Sequence, residues 1–167
     1  MSSNLINPVL ALPDLHLGPD WAVHSTGAPT TVSSHAARTF AVTPVRGGPA
    51  ALVRVHRVAH HPLSACYPYG AHDLVLGLAL AEEGSRGRLL ASRLLRAVVP
   101  ALFAADPRCR RVVAAPDESD TVMQGVWEEG GFSRVTEADL GDASVVLFTV
   151  EPPDLAGMST ALDDMPH

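Results

Sequence analysis

The unbroken apolar run Leu74-Val-Leu-Gly-Leu-Ala-Leu80 sets the terms for the middle of the chain. It has strand length and no polar alternation, as a strand covered on both faces requires. The glycine-punctuated segment Glu83-Gly-Ser-Arg-Gly-Arg-Leu-Leu-Ala91 follows, and a helical period then runs from Leu89 to Ala105. Leu90, Leu94, Val98 and Leu102 share one face of that helix while Arg93 and Arg96 point elsewhere. Pro100 predicts a kink or an early end, and Asp106-Pro107 closes the element before a second strand, Arg111-Val-Val-Ala-Ala115. Strand, loop, helix and strand in this order build an α/β half whose loop lies where a phosphate-cradling turn opens the first helix. Leu89 and Leu90 stand where such loops use glycine.

The flanks read as follows. Residues 1–35 are an arm with short apolar pieces at Val9–Leu12 and Trp21–Val23 and one strand at most. Thr39–Thr43 and Ala51–Val58 are strands joined by the turn Arg46-Gly-Gly-Pro49, hence a hairpin. Ser119 or Asp120 caps a helix that ends at Glu129 before Gly130-Gly131, and Ser144–Glu151 is a final strand. The expected domain spans 36–151, and the acidic, proline-rich tail 152–167 is expected to be mobile.

Composition narrows the function classes. The net charge is -6, so there is no basic footprint for nucleic acid, and no apolar stretch is long enough to cross a bilayer. All 12 cationic side chains are arginine, which excludes a lysine Schiff base or lysine general base. Cys66 and Cys109 imply no disulfide framework, and with no basic leader at the start a reducing cytoplasm is the expected compartment.

The string Tyr67…His72-Asp73-Leu74, Phe103-Ala-Ala-Asp-Pro-Arg-Cys-Arg-Arg111, Pro116-Asp117, Gly131-Phe132 and the turn Glu137-Ala-Asp-Leu140 resembles the GNAT superfamily of acyl-CoA-dependent N-acyltransferases. Within it, the pattern is similar to the branch that acylates hydroxylated lysine side chains in hydroxamate siderophore pathways. The resemblance implies an α/β (α+β) GNAT fold with a mixed central sheet flanked by helices. Acyl-CoA would be the donor, a small molecule the acceptor, and no metal is called for. The family's phosphate loop, Gln/Arg-x-x-Gly-x-Gly/Ala, maps onto Arg86 at its first position and Ala91 at its last, with Leu89 at the central glycine. Arg86, Gly87, Arg88, Leu90 and Ala91 are therefore the implied cofactor contacts, and a side chain at Leu89 is expected to weaken coenzyme A binding.

Three further positions depart from the branch. Its histidine base falls on Gly77, the acidic partner on Ala115 and the proton donor on Trp127, and none of these can transfer a proton. The two helices the superfamily inserts between its first two strands find no room between Trp21 and Arg38, so apolar sheet would be exposed and a homodimer is expected.

The residues left for chemistry are His72, with Asp73 as its orienter, and Asp117 after the second strand. Tyr67, Tyr69 and Trp127 are candidate substrate contacts. His56, His60 and His61 match no metal spacing; in a strand His56 and His60 share a face and His61 points away. Three functions stay open: acyl transfer from a thioester to an amine or hydroxylamine, a repurposed fold doing cyclisation or elimination, and a non-catalytic partner subunit.

Overall fold

The computed structural model describes residues 12–26, 37–66 and 68–153. Tyr67, the Val9 end of the arm and most of the tail lie outside them. Seven strands form one mixed sheet: β1 Trp21–Thr26, β2 Ala37–Pro44, β3 Ala51–Arg57, β4 Leu74–Leu80, β5 Val112–Ala114, β6 Ser133–Leu140 and β7 Ala143–Val150, in spatial order β1-β2-β3-β4-β5-β7-β6. Every pairing is antiparallel except β4 with β5, whose crossover is the helix α1, Ser85–Ala105. A second helix, α2, Thr121–Glu129, connects β5 to β6.

Period-2 alternation decides which face is buried. Phe40, Val42, Ala51, Val53, Val55, Leu74, Leu76, Val112, Ala114, Val146 and Phe148 point to the face covered by α1 and α2. A buried aliphatic side chain contributes about 1.5–3 kcal/mol, so this layer carries most of the stability. Helix α1 answers with Gly87, Ala91, Leu94, Leu95, Val98, Val99 and Leu102. Leu90 is only half-buried and the stripe runs through Gly87 and Ala91 instead, while Pro100 sits on the exposed side of a helix that continues to Ala105.

The opposite face is covered only in part. Val58, Leu63, Val75, Val113, Val145 and Leu147 form a second cluster under the segment after β3, which makes two short 3-10 turns at Val58–His60 and Pro62–Ala65. Further out on β3 the same face shows Leu52 and Arg54, both exposed. Strands β1 and β2 are consecutive antiparallel neighbours in the register Trp21↔Pro44 to Thr26↔Thr39.

Two further expectations needed correction. Glu137–Leu140 is not a turn but the end of β6; the turn is at Gly141, with φ +71°. Strand β6 is an edge strand exposed along most of its length, so its sequence shows no apolar alternation to read. Helix α1 starts at Ser85, four residues ahead of the apolar period, because its first turn is solvent-facing and its cap is Gly84 at φ +91°.

At the lower end of the sheet a buried ion pair ties three elements together. Arg57, 3% exposed, reaches from the end of β3 to the Asp106 carboxylate at 2.6 Å, just past α1, and donates to the backbone oxygen of His72 at 2.7 Å. Cys66 is exposed and Cys109 buried, both as free thiols. No helix among the described residues is long and apolar enough to cross a membrane.

Candidate active site

Strands β4 and β5 pair only at Leu74↔Val112 and Val75↔Val113, although β4 continues to Leu80. From Leu76 onward the two strands diverge, and α2 lies over the opening. The resulting groove has a volume of about 230 Å³ and is lined by Leu76, Gly77, Leu78, Ala115, Pro116, Asp120, Met123 and Trp127. Gly77, Ala115 and Trp127, read from sequence as the positions stripped of proton-transferring side chains, thus face one groove. Trp127 is held there by edge-to-face contact with Phe132, centroids 5.0 Å apart, and is 3% exposed. Asp120 is the one titratable residue in this lining, and its carboxylate caps α2 by accepting the Met123 N–H at 3.1 Å. The loop entering α2 is fixed by Gln124, which donates to the carbonyls of Asp117 at 3.1 Å and Glu118 at 2.9 Å.

The start of α1 is tighter than the sequence suggests. Helical bonding begins with the Arg88 N–H to Gly84 oxygen, so the N–H groups of Ser85, Arg86 and Gly87 have no partner inside the helix. Gly84 has φ +91°, and a Cβ on Gly87 would stand 1.9 Å from the Glu82 carbonyl oxygen. The glycines that permit this turn therefore lie upstream of Leu89.

The five implied cofactor contacts do not converge. Arg88 crosses to Glu129 of α2 at 3.1 Å, Gly87 packs on Glu82, and Ala91 is fully buried. Arg86, Leu89 and Leu90 line a separate hollow of about 360 Å³ against Trp21 and the β2–β3 turn. That hollow is the larger of the two, but none of the positions singled out for proton transfer lines it.

His72 and Asp73 sit together at the other end of β4. Asp73 is 3% exposed and fully engaged by backbone, accepting the N–H of Gly70 at 2.9 Å and of Arg110 at 3.2 Å. It fastens the turn before β4 to the loop before β5. His72 has its Nδ1 3.9 Å from the Asp106 carboxylate. At roughly 3.3 Å per strand residue, the start of β4 is about 10 Å or more from Gly77. Asp117 lies past the end of β5, its carboxylate accepting both the backbone and the hydroxyl of Ser119, at 2.9 and 2.6 Å. Those bonds hold its pKa below the usual carboxylate range. Tyr69 packs against the second cluster, and Tyr67 falls outside the described residues.

The histidines of the middle segment rearrange relative to a simple strand reading. The chain leaves β3 at Arg57 and turns through Val58–His60, so it is His61, not His60, that meets His56, with ring centroids 5.3 Å apart in a T-shaped contact. His61 Nδ1 accepts the Leu63 N–H at 3.1 Å, which fixes its proton on Nε2 while it is neutral. Burial, His61 and Arg54 push the pKa of His56 down to about 4. Pro62 opens the next 3-10 turn, Pro62–Ala65, which His61 caps. Among the described residues no three His, Cys, Asp or Glu side chains gather as a metal would need.

Residues 19–140 match the family model described as "Acetyltransferase (GNAT) domain". Curated relatives include the lysine N-acyltransferase MbtK of Mycobacterium sp. (strain MCS), 30% identical over 105 residues, which cover 63% of this chain and 43% of that protein. MbtK of Mycolicibacterium paratuberculosis (strain ATCC BAA-968 / K-10) is 30% identical over 109 residues, 65% of this chain and 49% of its own length. The chain thus matches under half the length of these relatives. Among solved structures, an uncharacterized protein from Bacillus halodurans superposes with TM-score 0.62 at 25% identity, over 69% of this chain and 58% of that one. The aminoglycoside acetyltransferase AAC(6')-Ib, crystallised with coenzyme A and kanamycin, superposes with TM-score 0.63 at 17% identity, over 74% of this chain and 72% of its own, a likeness of fold.

Proposed function

The chain belongs to the GNAT acetyltransferase family, and from that premise we propose that it transfers an acyl group from a thioester to the nitrogen of a small amine or hydroxylamine in the assembly of a siderophore-like metabolite. The groove between β4 and β5 carries this reading. Beyond Val75 the β4 edge that faces β5 is released from strand pairing, so its backbone groups are available to a ligand lying between the strands. Backbone N–H groups aimed at a thioester carbonyl stabilise the oxyanion that forms on attack, and a fixed groove supplies the orientation.

An acyl-coenzyme A donor fits the first turn of α1. Ser85, Arg86 and Gly87 offer N–H groups there, Gly84 and Gly87 keep the turn free of side chains, and Leu89 lies in the separate hollow. Calorimetric titration with acetyl-coenzyme A, followed by release of free thiol with lysine and N6-hydroxylysine as acceptors, tests the reading. The expected result is micromolar binding, about -8 kcal/mol, and acceptor-dependent thiol. Absence of both would sink it.

One observation favours a second reading, thioester-independent chemistry on a pathway intermediate. Glu82 and Glu83 directly precede α1, and carboxylates at that point oppose a polyphosphate. Failure of acetyl-coenzyme A to bind at millimolar concentration would favour it. For the partly open sheet face we propose a second copy of this chain as the cover, which a dimeric mass by light scattering would support.

A further inference from the structure

The groove lacks an obvious proton acceptor, yet transfer of an acyl group to nitrogen releases a proton. The groups read from sequence for that task, and the one carboxylate in the groove lining, are elsewhere or occupied. His72 is at the far end of β4, Asp73 is bonded to two backbone N–H groups, Asp117 is bonded to Ser119, and Asp120 caps α2. The other neighbour of β4 is β3, which carries a further histidine.

Strands β3 and β4 pair antiparallel with His56↔Val75 and Arg54↔Gly77. Directly opposed residues share a face, so His56 and Gly77 are diagonal neighbours on the same face of the sheet. Residues in that relation are roughly 7–8 Å apart, within reach of an aromatic ring. A Cβ on Gly77 would touch only Arg54, at 3.7 Å from its Cβ and 3.9 Å from its carbonyl oxygen. The space above Gly77 on that face is thus open. His56 stands beside it, half-buried, in T-shaped contact with His61, and no described residue hydrogen-bonds to its ring nitrogens.

We propose that His56 is the catalytic proton acceptor of the acyl transfer, working from β3 across the opening left by Gly77, with His61 as the positioning residue that holds its ring. The inference rests on the acyltransferase reading. In the step, the acceptor nitrogen forms a bond to the thioester carbonyl carbon and the carbon–sulfur bond breaks. The proton from nitrogen passes to His56 and from there to the departing thiolate, so a free thiol leaves and the imidazole returns neutral.

The charged and titratable groups facing His56 are Arg54 on its own strand and His61 from the following turn; β4 contributes Val75 and Gly77, and β2 contributes Ala37, none of which titrates. Burial first, then His61 and Arg54, push the pKa of the ring down to about 4, so it is neutral and open to a proton at neutral pH, though a weaker base than a free imidazole.

The test uses the full chain with acetyl-coenzyme A and a panel of lysine, N6-hydroxylysine and hydroxylamine, read as thiol release. His56→Ala and the near-isosteric His56→Gln should lower kcat by about 10²–10⁴-fold and leave KM for the thioester within about twofold. His60→Ala, an exposed neighbour, should match the wild type. His56→Gln guards against a loss caused by packing alone, with circular dichroism confirming its fold. A folded His56→Gln that keeps kcat within threefold overturns the proposal while leaving the acyltransferase reading intact. So does a loss confined to KM for the acceptor, which would make His56 a binding group. If the wild type releases no thiol with any acceptor, both fall together.

Discussion

A Cβ placed on Gly87 would lie 1.9 Å from the carbonyl oxygen of Glu82, closer than any real side chain comes to a backbone atom. The link from β4 into α1 therefore crosses the first helical turn at a distance only glycine permits. Because the obstacle is backbone, Gly87→Ala must move either the loop or the helix start. The expected cost is about 1–3 kcal/mol, as for overpacking, read as a lowered urea midpoint with unchanged slope. Gly84→Ala has open space around it but φ +91°, so it should cost about 1–2 kcal/mol through the left-handed backbone alone. Acetyl-coenzyme A affinity should fall in both variants if the first-turn N–H groups hold the donor.

Leu89→Gly is expected to do little for donor binding. Leu89 is 61% exposed and lines the hollow beside Trp21 and the β2–β3 turn, outside the lining of the groove under α2. Removing it trades a good helix former for glycine near a helix start, a loss of up to about 1 kcal/mol. A tenfold gain in acetyl-coenzyme A affinity on calorimetry would show instead that Leu89 obstructs the phosphates.

The contrast between Leu89 and Gly87 shows where the sequence is legible. The order of elements, the Asp120 cap, the hairpin and the two-sided burial at the start of β4 all follow from local patterns, because hydrophobic period and turn chemistry are written in neighbouring residues. Gly77, Ala115 and Trp127 were singled out through a resemblance, and all three line the groove where β4 diverges from β5. Other features depend on contacts that no local pattern encodes. Strand β6 is an exposed edge with no alternation. The true glycine of the first turn is set by where Glu82 passes. His56 meets His61 because the chain turns between them, which a straight-strand reading of residues 56–61 misses. His72 follows the same logic: adjacency to β4 in sequence put it near the groove, whereas strand direction carries it to the opposite end.

The Arg57–Asp106 pair locks that opposite end. Arg57 is 4% and Asp106 12% exposed at the side chain, so neutralising one partner leaves a buried charge facing a dipole. Asp106→Asn should cost about 3 kcal/mol or more, with the melting temperature as readout. His72→Ala, whose ring only borders the pair at 3.9 Å, should cost less than about 1 kcal/mol and leave thiol release unchanged. A hundredfold loss of kcat in His72→Ala, with the fold intact, would return His72 to the reacting centre.

Stability should also depend on pH through His56 and His61. Both pKa values are lowered in the folded chain, that of His56 to about 4 against 6.5 for the free side chain, chiefly by burial. Where the folded pKa is depressed, the unfolded chain binds protons first, so stability rises with pH. The contribution of His56 is fully present above pH 6.5, falls as the pH drops from 6.5 toward 4 and levels off below about 4. His61 adds to the loss in the same direction. The carboxylate of Asp117, held below the usual carboxylate range by its bonds to Ser119, adds its own loss only at more acid pH. The wild-type melting temperature should therefore begin to decline on the acid side of neutrality, from about pH 6.5 downward. His56→Gln, which carries no titratable ring, should flatten that decline while keeping the T-shaped neighbour His61 in place. A His56→Gln profile that runs parallel to the wild type between pH 6.5 and 4 would show that His56 is not shielded from solvent, and would remove the environment that keeps it neutral.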